Sequence, residues 1–325
     1  MARRRSVQQT AADIRSLKIQ GARRIAAAAL GGLQAAAQAS HARTPSAFYE
    51  DLLAAARLLE STRPTEPMMR NALEETLRFA LASSRTRPSS SLPALKAALM
   101  RHERRLLGEM EKSANSIAKF GAAEIPHNAR ILIHCHSTTL MRVLVAAQKA
   151  GKRPSVTCLE TRPLYQGRLS ARELSAAGVK TSLAVDSAAG SLMSQTDLVL
   201  VGADAITAEG DLINKVGTST LAQLAHMHSV RFLCAAETWK YDPLTRLGRR
   251  EPIEQRDWRE VWGSGLYGQE KGKNLKKPSK LSILNPAFDR TPARYVSAYI
   301  TEEGLLPPAQ VGIMAQAKLN AIHPR

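Results

Sequence analysis

Apolar residues recur at helical spacing through the first third of the chain and then give way to short runs of strand length. Ile14, Leu17, Ile19 and Ile25 lead into an alanine-rich segment through Ala37, and Phe48, Leu52, Leu53, Leu58 and Leu59 follow at helical spacing. Pro64 suits a first helical turn, with Thr62 or Thr65 as the cap of a helix reaching about Ser83. SSRTRPSSSLP, residues 83–93, is a loop by composition, and another amphipathic helix covers about Pro93 to Phe120. No strand signal precedes residue 130, so this half reads as all-α.

The second half alternates. Strands are expected at Ile131–His134, Val156–Glu160, Thr181–Asp186, Leu198–Val201 and Arg231–Ala236, with helices near 138–150, 170–177, 188–195 and 216–228. Strands alternating with helices predict a Rossmann-like domain, a mostly parallel doubly wound sheet. The pattern lapses between Arg246 and Lys280 into a charged excursion with Trp258, Trp262 and Tyr267, read as a surface segment at a subunit contact, and a last strand is expected around Val296–Ile300. The reading is thus a helical domain, 1–125, followed by an α/β domain, 126–325, with the boundary near residues 121–129.

Composition narrows the class. With 44% apolar and 23% charged residues the chain has the balance of a globular protein. It has no apolar run of the roughly 20 residues that span a bilayer, and no apolar stretch behind MARRR to make a secretory signal. Cys135, Cys158 and Cys234 lie far apart, which argues for the cytoplasm and against a disulfide framework or a structural zinc site. A net charge of +18 suggests an anionic partner, phosphorylated metabolite or nucleic acid. Aromatics at 4% supply few stacking platforms for single strands. The basic groups at Arg3–Arg5, Arg101–Arg105, Arg246–Arg250 and Lys271–Lys280 are scattered, which suits a solubilising surface equally well.

Chemistry concentrates at two strand ends. Cys135 closes the run ILIH and precedes Ser137, Thr138 and Thr139 at the start of a helix. A helix amino terminus favours a thiolate and offers N–H groups to a phosphate. The alternative for Cys135 is a small core residue, the reading that holds for Cys158 and Cys234 within their strands. His134 and His136 flank the thiol and, by alternation, point away from it, which favours supporting roles. Asp204 ends LVLVGA as either a helix cap or an acid–base carboxyl. Asn214 and Lys215 stand before a helix beginning near Gly217, a combination suited to phosphate or a sugar hydroxyl, and Lys240 is a second cation or an ordinary surface lysine. GxGxxG, GxxxxGK[ST] and HExxH do not occur, so dinucleotide, Walker-type and zincin chemistry lack their sequence support.

HCHSTTL, LETRPLYQG, VDSAAG, VGADAITAEGDLINKVGT, AAETWKYDP and NPAFDRTPARYVSAYITEEG, together with IQGARRIA and STRPT, resemble the family of the alpha, beta and delta subunits of translation initiation factor two-B and its metabolic relatives, the methylthioribose-1-phosphate and ribose-1,5-bisphosphate isomerases. A cysteine in H-C-x-S and an aspartate in G-A-D resemble the isomerases, and EPIEQRDWREVW looks closest to the archaeal ribose-1,5-bisphosphate isomerase branch. The resemblance implies an aldose–ketose isomerase with Cys135 as base and Asp204 as acid. It implies substrate contacts at Gln20, Gly21, Ala22, Arg23, Arg63, Ser137, Thr138, Thr139, Asn214, Lys215 and Lys240, with no metal or cofactor. It also implies a homo-oligomer, dimer or hexamer, and a nucleoside monophosphate effector. A non-catalytic subunit acting on initiation factor two is the alternative. Two positions depart from the family: Gln20 where it usually has arginine, and His136 where isomerases usually have asparagine.

Overall fold

The computed structural model describes residues 5–86, 91–262 and 277–322. Tyr267, Arg3, Arg4 and most of the 271–280 basic run lie outside the described residues, as does part of the 83–93 loop. The chain forms two compact units, one of residues 1–113 with 239–241 and one of residues 114–238 with 242–325.

The first unit is helical: α1 (Val7–Arg15), α2 (Ala22–Ala39), α3 (Pro45–Glu60), α4 (Pro67–Thr86) and most of α5 (Leu92–Glu124). Ser6 and Gln9 cap α1 reciprocally, each side chain serving the other's backbone N–H, while Thr44 caps α3 with Pro45 at its first position. Thr62 caps nothing downstream. Its hydroxyl donates to the Leu59 carbonyl at the end of α3, and α4 starts only at Pro67. Ile14, Ile25, Leu30, Leu33, Phe48, Leu52, Leu59, Met68 and Met69 are fully buried. The small side of α2 at Gly32 lets it approach Thr10 and Leu59, where a Cβ would stand 3.3–3.4 Å from their side chains. The Nδ2 amide of Asn71 donates to the carbonyls of both Trp239 and Tyr241, at 2.9 and 2.8 Å, which ties residues 239–241 to this unit.

The second unit follows the alternation: β1 (Arg130–His134), α6 (Thr138–Lys149), β2 (Ser155–Leu159), α7 (Gln166–Ala176), β3 (Lys180–Ala184), α8 (Ala189–Met193), β4 (Leu198–Val201), β5 (Ala205–Ile206), β6 (Leu212–Lys215), α9 (Thr218–Met227), β7 (Arg231–Ala235), α10 (Arg259–Trp262), β8 (Phe288–Thr291), β9 (Ala298–Thr301), β10 (Gly304–Leu306) and α11 (Pro308–Ile322). Seven strands make one sheet in the order β10-β9-β7-β4-β1-β2-β3, parallel except for the β9–β10 pair. Alternate residues feed two cores. Ile131, Ile133, Leu198, Leu200, Leu233 and Ala235 pack with α6, α7 and the end of α5, whereas Leu132, Val199, Val201, Phe232 and Cys234 pack with α8, α9 and α11. Burial on both faces is why these strands read as continuous apolar runs. Cys158 and Cys234 fall into opposite cores.

A second sheet, β5-β6-β8, is antiparallel and was not expected from the pattern; it puts Asn214 and Lys215 on β6, which ends just ahead of α9, the helix expected near Gly217. α11 was likewise not anticipated. No helix among the described residues is long and apolar enough to cross a membrane.

One group in the helical unit opposes folding. Glu103 of α5 is 2% exposed, and neither carboxyl oxygen has a hydrogen-bond partner among the described residues. Burial pushes its carboxyl up to about 8 from an ordinary 4.5. The folded chain therefore holds a proton that the unfolded chain releases, and stability falls as pH rises between those values, by up to about 1.4 kcal/mol per unit. Glu103→Gln, an isostere of the protonated acid, is expected to raise the urea midpoint at pH 8.5 clearly more than at pH 5. Equal shifts at the two pH values would show that Glu103 is not carried protonated.

Candidate functional site at the sheet switch point

The chain runs from β1 through β2 to β3 on one side, then returns to β4 on the other side of β1. Ligands of open α/β sheets bind outside the carboxyl ends of the strands at such a reversal. Cys135 follows β1 directly, Gly202 to Asp204 follow β4, and the register pairs His134 with Val201. The two strand ends are therefore side by side. Gly202 permits a closer approach still, because a Cβ there would stand 2.7 Å from the Ser137 Cβ.

Cys135 has φ +68°, a left-handed conformation uncommon outside glycine. Side chains hold its backbone on both sides. Its N–H donates to Thr161 Oγ1 at 2.9 Å, and its carbonyl accepts from Ser170 Oγ of α7 at 3.0 Å. Thr161 is fixed in turn, since its own N–H and that of Arg162 donate to the two oxygens of Asp186, beyond β3, at 2.8 and 2.7 Å. Gly167 lets α7 start under the end of β2; a Cβ there would sit 1.7 Å from the Leu159 carbonyl oxygen. The stretches HCHSTTL, LETRPLYQG and VDSAAG thus converge as one mount for the thiol.

The histidines face elsewhere. His134 is buried, and its Nε2 lies 2.9 Å from the Val216 carbonyl, which can only accept, so Nε2 carries the hydrogen. Burial lowers its pKa and keeps it neutral. His136 turns to α7, with Nδ1 3.1 Å from Ser170 Oγ and Nε2 3.7 Å from Glu173.

The thiol itself is not activated by α6. Ser137 is the N-cap, accepting from Leu140 N–H, so Cys135 lies two residues outside the helix, where the dipole has faded. Burial is the dominant influence and pushes the thiol up to about 11. The Lys215 ammonium pulls it down, and the Asp204 and Asp186 carboxylates push it up again. This corrects the expectation of a thiolate favoured by the helix end.

Asp204 opens the second sheet, its N–H donating to the Ile213 carbonyl at 2.9 Å. Asn214 and Lys215 on β6 are both buried, with Asn214 Nδ2 donating to Thr218 Oγ1 at 3.0 Å and Lys215 Nζ 4.9 Å from the centre of the Phe288 ring. The amino end of α9, expected to hold a phosphate, is already served by a carboxylate. Asp289 of β8 accepts from Gly217 N–H at 2.7 Å and from Ser219 N–H at 3.1–3.2 Å. At α6, Thr138 is exposed, but the Thr139 hydroxyl is buried and donates to Glu237 Oε1 at 2.8 Å. Sequence reading missed Thr161, Ser170, Asp186 and Asp289, which support the site through side-chain hydrogen bonds to backbone; all four lie in or beside the motif stretches.

The remaining expected contacts lie in the helical unit. Gly21 takes φ +85° ahead of α2, whose first residue is Ala22. Gln20 folds back, Nε2 donating to the Leu17 carbonyl at 2.8 Å. Arg23 Nη1 pairs with Glu111 at 3.1 Å. Arg63 lies in the turn between α3 and α4, and Lys240 is buried in the segment that Asn71 secures.

The profile of the Initiation factor 2 subunit family matches residues 18–308. The chain belongs to that family. It is 37% identical over 305 residues to the ribose 1,5-bisphosphate isomerase of Thermococcus kodakarensis, covering 94% of this chain and 92% of that protein. It is 38% identical over 306 residues to the methylthioribose-1-phosphate isomerase of Pelotomaculum thermopropionicum, covering 91% and 81%. The crystal structure of a Pyrococcus horikoshii translation initiation factor eIF-2B superposes with a TM-score of 0.75 at 26% identity, covering 94% of this chain and 98% of that one. Within the family this chain is an enzyme, an isomerase.

A thiol held near 11 is about 0.01% thiolate at neutral pH, against about 3% for an ordinary cysteine. After allowance for the greater nucleophilicity of the more basic thiolate, alkylation of Cys135 by iodoacetamide at pH 7 is expected roughly 30-fold slower than for a free thiol. It should accelerate about tenfold per pH unit up to pH 9. Peptide mass spectrometry of the Cys135 peptide reads the rate, and a fast, pH-independent reaction would contradict this electrostatic picture.

Proposed function

We propose that the chain converts α-ribose 1,5-bisphosphate to ribulose 1,5-bisphosphate, with Cys135 as base and Asp204 as acid. The observation that carries this reading is the placing of these two groups at the ends of neighbouring strands at the switch point, close enough for Asp204 to act on the thiol. The chemistry needs one proton donor and one acceptor. Asp204 gives a proton to the ring oxygen as the bond from that oxygen to carbon 1 breaks. The Cys135 thiolate takes the proton from carbon 2, and the electron pair forms the carbon 1–carbon 2 double bond of an enol phosphate. The carbon 2 hydroxyl then returns a proton to Asp204 as its carbonyl forms, and Cys135 delivers its proton to carbon 1. Both groups end as they began.

Lys215 and Asn214, with Ser137, Thr138 and Thr139, are proposed to hold phosphate and hydroxyl groups of the substrate. By resemblance Gln20, Gly21, Ala22, Arg23, Arg63 and Lys240 are proposed as further ligands. Methylthioribose 1-phosphate is the same-class alternative, supported by the 38% identity to an isomerase of that name.

The test is turnover of both sugars by wild type, Cys135→Ser and Asp204→Asn. Ribulose 1,5-bisphosphate is expected from the wild type, with kcat falling at least about 100-fold in each variant, the usual worth of a general acid or base. Turnover of the methylthio sugar alone would move the assignment to that substrate. Binding of initiation factor two with no turnover of either would overturn it in favour of a regulatory subunit.

A further inference from the structure

We propose that Asp289 is a positioning residue: its carboxylate is a resident anion that closes the amino end of α9, so that the substrate's phosphate is directed to Lys215. The inference rests on the isomerase reading but stands on its own geometry. β8 runs antiparallel to β6, with Asp289 opposite Asn214 and Phe288 opposite Lys215. From that position the carboxylate takes the N–H groups of Gly217 and Ser219, two donors that a helix amino terminus would otherwise present to a phosphate. Gly217 takes φ +102°, and its α-carbon faces the His134 ring, where a Cβ would stand 3.1 Å from Nε2. The same segment is tied at Val216, whose carbonyl accepts from His134 and whose N–H donates to the Ala287 carbonyl at 3.2 Å.

Asp289 therefore fixes the segment that joins Lys215 to α9 and, through His134, to the end of β1 that carries Cys135. An anion-binding helix end beside Lys215 would offer the phosphate a second seat, displaced along the chain. The carboxylate removes that choice. Among the described residues the charged group acting on Asp289 is Lys215 of β6; the first turn of α9 contributes amides and no acidic side chain, and neighbouring Arg290 is taken by Asp211.

The test compares wild type with Asp289→Asn and Asp289→Ala, using inorganic phosphate as the probe in isothermal titration calorimetry. Unmasking the helix end is expected to tighten phosphate binding at least tenfold and to make phosphate a correspondingly stronger inhibitor. In the isomerase assay the loss should fall mainly on KM, with kcat changed less. Circular dichroism checks that the variants are folded. Wild-type crystals soaked in phosphate supply a reading free of mutation, with the anion expected away from the Gly217 and Ser219 amides. Unchanged phosphate affinity in folded variants, or a phosphate bridging those amides in the wild type with Asp289 displaced, overturns the proposal. Should the wild type turn over neither sugar, the isomerase reading fails while the calorimetry still decides the role of Asp289.

Discussion

β1 and β4 lie in register as parallel neighbours, and the loops that leave them touch where a glycine has no side chain to keep them apart. A Cβ at Gly202 would stand 2.7 Å from the Ser137 Cβ, far inside van der Waals contact. Cys135 and Asp204 owe their common location to this approach. Sheet topology supplies the rest: the chain reverses between β3 and β4, and the crevice outside the carboxyl ends of two such strands is where ligands of open α/β sheets bind. The mount beneath the thiol depends on the same geometry. Thr161, just past β2, and Ser170 of α7 reach the Cys135 backbone, and Asp186, just past β3, holds Thr161, as the sheet arranges them.

The α/β unit was legible in proportion to how far its signals were local. Strands buried on both faces are mostly apolar, so β1, β4 and β7 were visible as runs, and the break of pattern at Cys135 and Asp204 marked the candidate ends. The second sheet was not visible. Its strands are two to four residues long, below the length at which alternation can be distinguished from loop. That is why the strand under Asn214 and Lys215 went unread, although their place just ahead of α9 was read correctly. Asp289 was hidden for a different reason. It serves the amides of α9 from some seventy residues away in sequence, and capping from a distance leaves no mark in a local window. In the helical unit the periodicity gave the elements, but hydroxyl chemistry misled: Thr62 satisfies a carbonyl of the helix behind it rather than an amide of the one ahead.

Two carboxylic acids, Glu103 buried and Asp289 half-buried, show the same physics used differently. Glu103 has no polar partner among the described residues, and burial alone sets its state. Asp289 is raised less far, to about 6, because the amides of Gly217 and Ser219 and the Lys215 ammonium oppose the cost of burial. Hydrogen bonds to the charged form make the difference: at neutral pH the first is carried as an acid and the second mainly as an anion.

At the switch point this balance becomes mechanistic. With Cys135 as the proposed base and Asp204 as the proposed acid, a thiolate and a carboxylate side by side would repel, so the proposed pair calls for one negative charge and one proton between them. Intrinsic acidity would leave that proton on sulfur, the order opposite to the one the reaction requires. Burial of Cys135 strengthens the tendency, and the helix behind it is too far removed to reverse it. Lys215 is the cation that acts on the thiol in the required direction, so the phosphate contact proposed for it would link substrate binding to the proton inventory. A phosphate that neutralised Lys215 completely would remove the influence that favours the thiolate. On the proposed mechanism, the geometry of that lysine, held over Phe288 and anchored beside Asp289, therefore matters to the chemistry as well as to affinity.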